Sequence, residues 1–115
     1  MQKIHIIARF KIQSNNLEKF KQGVQKCIDL VKNEPGAELY DWFIDEKNME
    51  CTVIETYKDS DATLFHAGNV QQALGELMQI SEFSGEVFGN ASEALKEAMA
   101  GMNIVPVPFY IGLDS

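Results

Sequence analysis

Residues 34–66 restrict the possible folds of this chain more than any other segment. A Pro35-Gly36 turn precedes two stretches, 37–45 and 49–57, in which apolar and polar residues alternate. A period of two predicts strands with unlike faces, and the polar residues between the stretches suit the turn of a β-hairpin. Asp59 to Asp61 then marks a helix start, because acidic groups are favoured at the positive end of a helix.

The flanking segments complete an order of strands and helices. Ile4 to Ile12 alternates like a strand, and apolar residues from Leu17 to Val31 recur every three or four positions, as in an amphipathic helix. The second helix contains Gly68 and Gly75, and we expect a break or kink near Gly68 and Asn69 because glycine weakens a helix. A short strand at 83–89 follows. The order β-α-β-β-α-β predicts an α+β fold of the ferredoxin-like, split βαβ type with an antiparallel sheet.

The C-terminal part adds a helix and a strand to this core. Residues 91–100 are rich in Ala, Glu and other strong helix formers, and residues 104–112 are extended and β-rich. Pro106 and Pro108 cannot donate to a strand ladder, so this last segment is expected to be an edge strand or an arm. We expect one domain over residues 1–115, with a core at about 3–89 and a C-terminal extension at 90–115.

The charge balance and the cysteines limit the partners and the compartment. A formal net charge of -7 argues against nucleic acid and against an anionic membrane surface, since both bind clustered Lys and Arg. No apolar run approaches the roughly 20 residues that cross a bilayer. Cys27 and Cys51 lie in apolar patterns and not in a Cys-x-x-Cys pair, so we expect buried free thiols and a cytoplasmic location.

Several of these residues together resemble the antibiotic biosynthesis monooxygenase (ABM) family. The resemblance covers about residues 3–89, and the extension also looks like one found in some relatives. The motif consists of an acidic-Pro-Gly turn, an aromatic on the next strand, a Glu before an aromatic at the end of the hairpin, and an acidic-Ala-x-x-x-His helix start. The matching residues are Glu34-Pro35-Gly36, Tyr40, Glu55, Tyr57, Asp61-Ala62 and His66.

The resemblance implies a dimeric α+β barrel, in which two subunits pair their sheets face to face. The strands agree with this implication, because both faces are partly apolar, as at Trp42 and Phe43 or at Val53 and Ile54. One layer of helices covers only one face, and the other would be an exposed apolar patch unless a second subunit covered it. We therefore predict a homodimer.

The resemblance also implies a function, a cofactor-independent monooxygenase acting on a small quinol or polyphenolic aromatic. Such family members use O2 without a metal or a flavin. His66 is the candidate general base, because an imidazole titrates near neutral pH and can take the proton of a phenol. Glu55 is the second candidate catalytic residue, as a carboxylate able to orient His66 or a substrate hydroxyl. The predicted substrate-binding residues are the aromatic side chains of Tyr40, Trp42, Tyr57 and Phe65.

Each assignment has a structural alternative. His66 could be a packed histidine satisfied by a neighbour, Glu55 could form a structural hydrogen bond or an ion pair with Arg9, and the aromatic rings could be ordinary core. A protein that holds a small aromatic or apolar ligand without catalysis is therefore the alternative function. A third possibility is a pocket filled by the protein's own phenylalanines, namely Phe65, Phe83 and Phe88.

The sequence predicts no cofactor. Two histidines far apart and two separated thiols give no metal-ligand spacing, and no glycine-rich phosphate loop occurs. The haem-degrading branch of the same superfamily is expected to carry an Asn on the first strand, and this chain has none there. His5 and Arg9 share a strand face, where they could bind an anion or simply meet solvent or a partner subunit.

Overall fold

The computed structural model describes residues 2–114 and has the predicted order of elements. The fold is α+β and ferredoxin-like, with a helix and a strand added at the C-terminus, so the sequence prediction is confirmed. In chain order the elements are β1 (Ile4–Ile12), α1 (Leu17–Val31), β2 (Ala37–Asp45), β3 (Glu50–Tyr57), α2 (Ser60–Gln79), β4 (Ser81–Phe88), α3 (Glu93–Met99) and β5 (Ile104–Val107).

The five strands form one mixed sheet in the order β2-β3-β1-β4-β5. β1 to β4 pair antiparallel, and β5 pairs parallel to β4. β5 lies at an edge of the sheet. An edge strand tolerates Pro106, which has no N–H to donate to a neighbouring strand. The C-terminal strand therefore extends the sheet of the core.

The helices lie on one face of the sheet. The alternate residues of β1 that face the helices are buried, whereas His5, Arg9 and Lys11 on the opposite, outer face are exposed. α1 and α2 approach each other closely at Gly23, where an added Cβ would lie 2.5 Å from Leu77 Cδ2. The period-two pattern of β1 thus separates the core from the outer face of the sheet.

α2 runs from Ser60 to Gln79 without interruption, so of the predicted break or kink near Gly68 and Asn69 the break is wrong. A glycine inside a helix costs about 1 kcal/mol relative to alanine. Buried side chains on both sides of Gly68 hold the helix against the sheet, and their burial outweighs that cost. They are Thr63, His66, Val70, Ala73 and Leu77.

Both cysteines are buried and free, as predicted. Burial raises the pKa of Cys27 to about 11 and that of Cys51 to about 12, so both thiols stay protonated at neutral pH. Within residues 2–114, no helix is both long enough and apolar enough to cross a bilayer.

Candidate active site

A cavity of about 470 Å³ lies between the sheet and α2. Its volume is in the range of small-molecule sites, and its wall is mostly apolar. α3 and the turn before β5 close one side through Met99, Met102 and Ile104. Four predicted site residues line the cavity: His66, Glu55, Tyr40 and Trp42.

Two local features place His66 over the sheet. The Asp59 side chain accepts a hydrogen bond from the Ala62 amide at 2.8 Å, which fixes the start of α2 nearly two turns before His66. Gly36 permits the strand that follows to lie against this first turn, because a Cβ there would be 2.5 Å from the Ala62 Cβ. The Pro-Gly turn and the helix start are therefore in direct contact.

This contact brings Glu34, which precedes the turn, to His66. The Nδ1 atom of His66 lies 3.1 Å from both carboxylate oxygens of Glu34. Asn69, one turn further along α2, donates from Nδ2 to the Glu34 Oε2 at 2.8 Å. The Glu34 side chain is 1% exposed, so these hydrogen bonds replace its hydration.

Sequence reasoning treated Glu34 only as a marker of the turn and did not assign Asn69 any role. The one available signal was the position of Asn69, three residues after His66 and so on the same side of α2. Glu34 is 32 residues from His66 in sequence, and only the folded hairpin shows that the two meet.

Glu55 approaches the other ring nitrogen. Its Oε1 lies 3.5 Å from the His66 Nε2 and accepts a 2.6 Å hydrogen bond from the Tyr57 hydroxyl. Burial raises the pKa of Glu55 to about 7, the negative charge of Glu34 acts in the same direction, and the Tyr57 hydrogen bond opposes both. Glu55 can therefore gain or lose a proton near neutral pH.

The imidazole of His66 is held in one orientation. Burial lowers its pKa, while Glu34 raises it through its charge and hydrogen bond. The net lowering favours a neutral ring, and the Glu34 carboxylate, an acceptor, favours the tautomer whose hydrogen is on Nδ1. The lone pair of Nε2 then points away from Glu34, on the side where Glu55 and the cavity lie.

Aromatic rings surround this group. The rings of Tyr40 and Tyr57 lie 5.2 and 4.8 Å from that of His66. Trp42 stacks on Phe10, and its buried Nε1 has no hydrogen-bond partner within the described residues. Burial raises the pKa of both tyrosines, so their hydroxyls remain protonated donors.

Two predicted substrate-binding residues do not line the cavity. Tyr57 is fully buried and reaches the site only through Glu55 and His66. Phe65 is 58% exposed, because it neighbours His66 on α2 and so points away from the sheet. Of the three phenylalanines that could have filled the pocket, Phe83 is part of its wall, and the cavity remains open.

His5 and Arg9 lie on the outer face, where each has a partner. His5 Nδ1 is 2.9 Å from the Thr56 Oγ1, and Arg9 pairs with Glu86 at 2.8 Å, so Arg9 is not the partner of Glu55. Across residues 2–114, no three His, Cys, Asp or Glu side chains are grouped so that they could hold a metal ion.

The family model described as antibiotic biosynthesis monooxygenase matches residues 3–73, which is more than half of the chain. The chain belongs to the antibiotic biosynthesis monooxygenase family. The match contains β1, both strands of the hairpin, Glu34, Glu55 and His66. No functionally curated protein matches the chain.

Solved structures repeat the ABM fold. MupZ from Pseudomonas fluorescens has a TM-score of 0.86 at 22% identity, over 98% of this chain and 94% of its own. A variant of SnoaB, a cofactor-independent oxygenase from Streptomyces nogalater, has a TM-score of 0.68 at 13% identity, over 80% of this chain and 96% of its own. A conserved protein from Methanosarcina mazei has a TM-score of 0.69 at 15% identity, over 76% of this chain and 91% of its own. These TM-scores show a common fold, and the match with MupZ extends over the C-terminal extension.

Proposed function

We propose that this ABM-family protein is a monooxygenase that uses O2 without a metal or flavin and acts on a small quinol or polyphenolic aromatic. The observation that carries the proposal is the environment of His66. Its Nδ1 is bonded to buried Glu34, and its Nε2 faces Glu55 at the wall of an apolar cavity. A neutral imidazole held in this way is suited to take a proton from a bound hydroxyl.

In this mechanism the protein prepares the substrate for reaction with O2. His66 Nε2 takes the phenolic proton, and Glu34 stabilises the imidazolium that forms. The resulting phenolate supplies the electrons to O2. One oxygen atom forms a C–O bond to the ring, and the substrate is oxidised to the quinone level, so the two hydrogens that it loses leave with the other oxygen atom as water. The apolar wall excludes bulk water and orients the ring, which lowers the barrier by proximity.

Glu55 has a supporting role in this proposal. Because its pKa is raised to about 7, a protonated carboxyl is present near neutral pH and can donate to a substrate oxygen. Tyr57 fixes Glu55, and Tyr40 and Trp42 contact the substrate ring as cavity-lining residues.

Oxygen uptake tests the function. Wild type and His66→Ala are incubated in air with a panel of quinols and polyphenols, and O2 consumption is followed. His5→Ala is the matched control, because His5 is the other histidine and lies outside the cavity. We expect a loss of about 10²- to 10⁴-fold for His66→Ala and none for His5→Ala.

The alternative function is a non-catalytic protein that holds a small aromatic or apolar ligand. The wall of the cavity is mostly apolar and carries only a few polar groups, which favours ligand binding without catalysis. It predicts saturable binding of the same aromatics with no O2 uptake above the buffer rate, in wild type and in His66→Ala alike.

We propose further that the chain acts as a homodimer in the cytoplasm and that residues 1–115 form one ABM-like domain. The outer face of the sheet supports the dimer, because large apolar side chains there are exposed. These are Leu39, Phe43, Ile54, Val105 and Val107. Tyr110 and Leu113, beyond β5, are 91% and 101% exposed, which adds apolar surface for a second copy. The free thiols of Cys27 and Cys51 suit a reducing compartment.

A further inference from the structure

The residues that line the cavity extend along both α2 and β1, which run in the same direction. α2 begins shortly after Tyr57, which pairs with Ile4. It ends at Gln79, and the carbonyl of the next residue, Ile80, accepts from the Gln13 amide at 3.0 Å. The cavity-lining residues extend along α2 from position 63 to 78, which is about 22 Å of helix. On β1 they extend from position 6 to 10, which is about 13 Å of strand.

The two ends of the cavity differ in polarity. Glu55 pairs with Tyr40 on the neighbouring strand, so both lie at the end where His66 projects from α2. The opposite end has no ionisable lining residue among those described. Its wall is formed by apolar side chains, namely Phe10, Leu74, Met78 and Phe83. The exposed Gln71 lines the cavity between the two ends. A ligand that fits the whole cavity therefore meets ionisable groups at one end only.

Two glycines leave the α2 wall open between these ends. Gly68 and Gly75 both line the cavity and, seven residues apart, lie on the same side of the helix. An added Cβ would meet no atom within 4 Å at either position. At Gly23, by contrast, a Cβ would come within 2.5 Å of Leu77. Close packing explains Gly23 but not the other two. Gly68 is exposed and Gly75 is half-buried, so both leave space at the rim of the cavity.

We infer that the ligand has two parts, a hydroxylated ring at His66 and Glu55 and an unbranched alkyl chain that runs along α2 past Gly68 and Gly75 toward Met78. The ring rests on the proposed function, whereas the alkyl chain rests on the shape and polarity of the cavity. Trp42 lies between the ends, next to Tyr40 and stacked on Phe10. It is the one tryptophan of the chain, so its fluorescence reports directly on occupancy.

Fluorescence titration without O2 tests the alkyl site. The ligands are hydroquinones that carry a methyl, butyl, hexyl or octyl chain. In wild type we expect affinity to rise about three- to fourfold for each added methylene, the gain from removing it from water. An affinity that does not change along the series would overturn the inference.

Substitutions in α2 test where the alkyl chain of the ligand lies. Gly75→Leu should leave methylhydroquinone affinity unchanged and remove the gain for hexyl and octyl chains. Gln72→Leu is the matched control, because Gln72 is exposed on the same helix and does not line the cavity. Gly75→Ala, whose Cβ meets no atom within 4 Å, gives a milder version of the same loss if the leucine variant does not fold. Equal chain-length dependence in wild type and both Gly75 variants would contradict the inference.

Oxygen uptake with the same ligands separates the two proposals. Chain-length-dependent binding without uptake supports the alkyl site and refutes the monooxygenase. Uptake at a rate and affinity independent of chain length supports the monooxygenase and refutes the alkyl site.

Discussion

At the scale of single residues, the account depends on the tautomer of His66. Glu34 and Asn69 hold the Nδ1 side of the ring, which leaves Nε2 for a substrate. Glu34→Gln keeps the size of the side chain but can donate its amide hydrogen to Nδ1, which favours the other tautomer. We expect O2 uptake to fall about 10²- to 10⁴-fold with little change in KM.

Glu38→Gln is a suitable control for Glu34→Gln. Glu38 is a nearby carboxylate that pairs with Lys3 on the surface, away from the cavity. Its variant should retain wild-type uptake. If Glu34→Gln were as active as Glu38→Gln, the orientation of His66 by Glu34 would play no part in the reaction.

The raised pKa of Glu55 predicts that the stability of the protein depends on pH. Its folded pKa is raised to about 7 from 4.5, so the folded state keeps a proton that the unfolded chain has lost. This contribution to the free energy of unfolding is complete below the unfolded pKa and is lost as pH rises through about 7. Burial lowers the pKa of His66, and its contribution changes in the opposite sense, lost as pH falls.

Glu55→Gln isolates the first of these contributions. The amide oxygen can still accept from Tyr57, but it does not titrate. Relative to the variant, wild type should lose roughly 2–3 kcal/mol of unfolding free energy between about pH 5 and about pH 8. Urea unfolding at both pH values measures it. Parallel pH profiles for the two proteins would contradict the raised pKa.

At the level of helices and strands, the alternation of apolar and polar residues predicted where the strands lie. It did not predict which distant parts of the chain are in contact. The bounds of β1 and β2 follow from their period-two patterns, which burial of one face imposes. The pairing of β5 parallel to β4 does not follow, because Pro106 within β5 and Pro108 just after it predict only an edge strand or an arm and do not indicate which strand it pairs with. Glu34 was missed in the same way, since its role arises from a contact 32 residues distant in sequence.

The glycines of α2 give a prediction at this scale. Gly68→Ala and Gly75→Ala add a Cβ into open space and remove backbone freedom from the unfolded chain. Each should raise the free energy of unfolding by about 0.5–1 kcal/mol, as urea denaturation can measure. Gly23→Ala provides the contrast, because its Cβ would clash with Leu77 and should destabilise the fold.

At the scale of the whole molecule, the outer face of the sheet predicts association. Phe43 is 53% exposed there, and Ile54 lies on the neighbouring strand. Lysine at either position would place a charge inside a face-to-face dimer, where desolvation is costly. We expect a dimeric mass for wild type by light scattering and a monomeric mass for Phe43→Lys and Ile54→Lys.

Phe65→Lys is the matched control for the interface. Phe65 is a similarly exposed phenylalanine, but it projects from α2 on the helix side. This variant should remain dimeric. A monomeric wild type at micromolar concentration, or a dimer that Phe43→Lys and Ile54→Lys leave intact, would contradict a sheet-to-sheet interface.

The fate of the oxygen atoms distinguishes a monooxygenase from other reactions that consume O2. A quinol that supports O2 uptake is turned over under dioxygen labelled with heavy oxygen, and the product is analysed by mass spectrometry. The account predicts one labelled atom in the product from wild type and from His5→Ala, with product formation lost in His66→Ala. An unlabelled product, or labelled product formed at the wild-type rate by His66→Ala, would contradict a monooxygenase that uses His66 as its base.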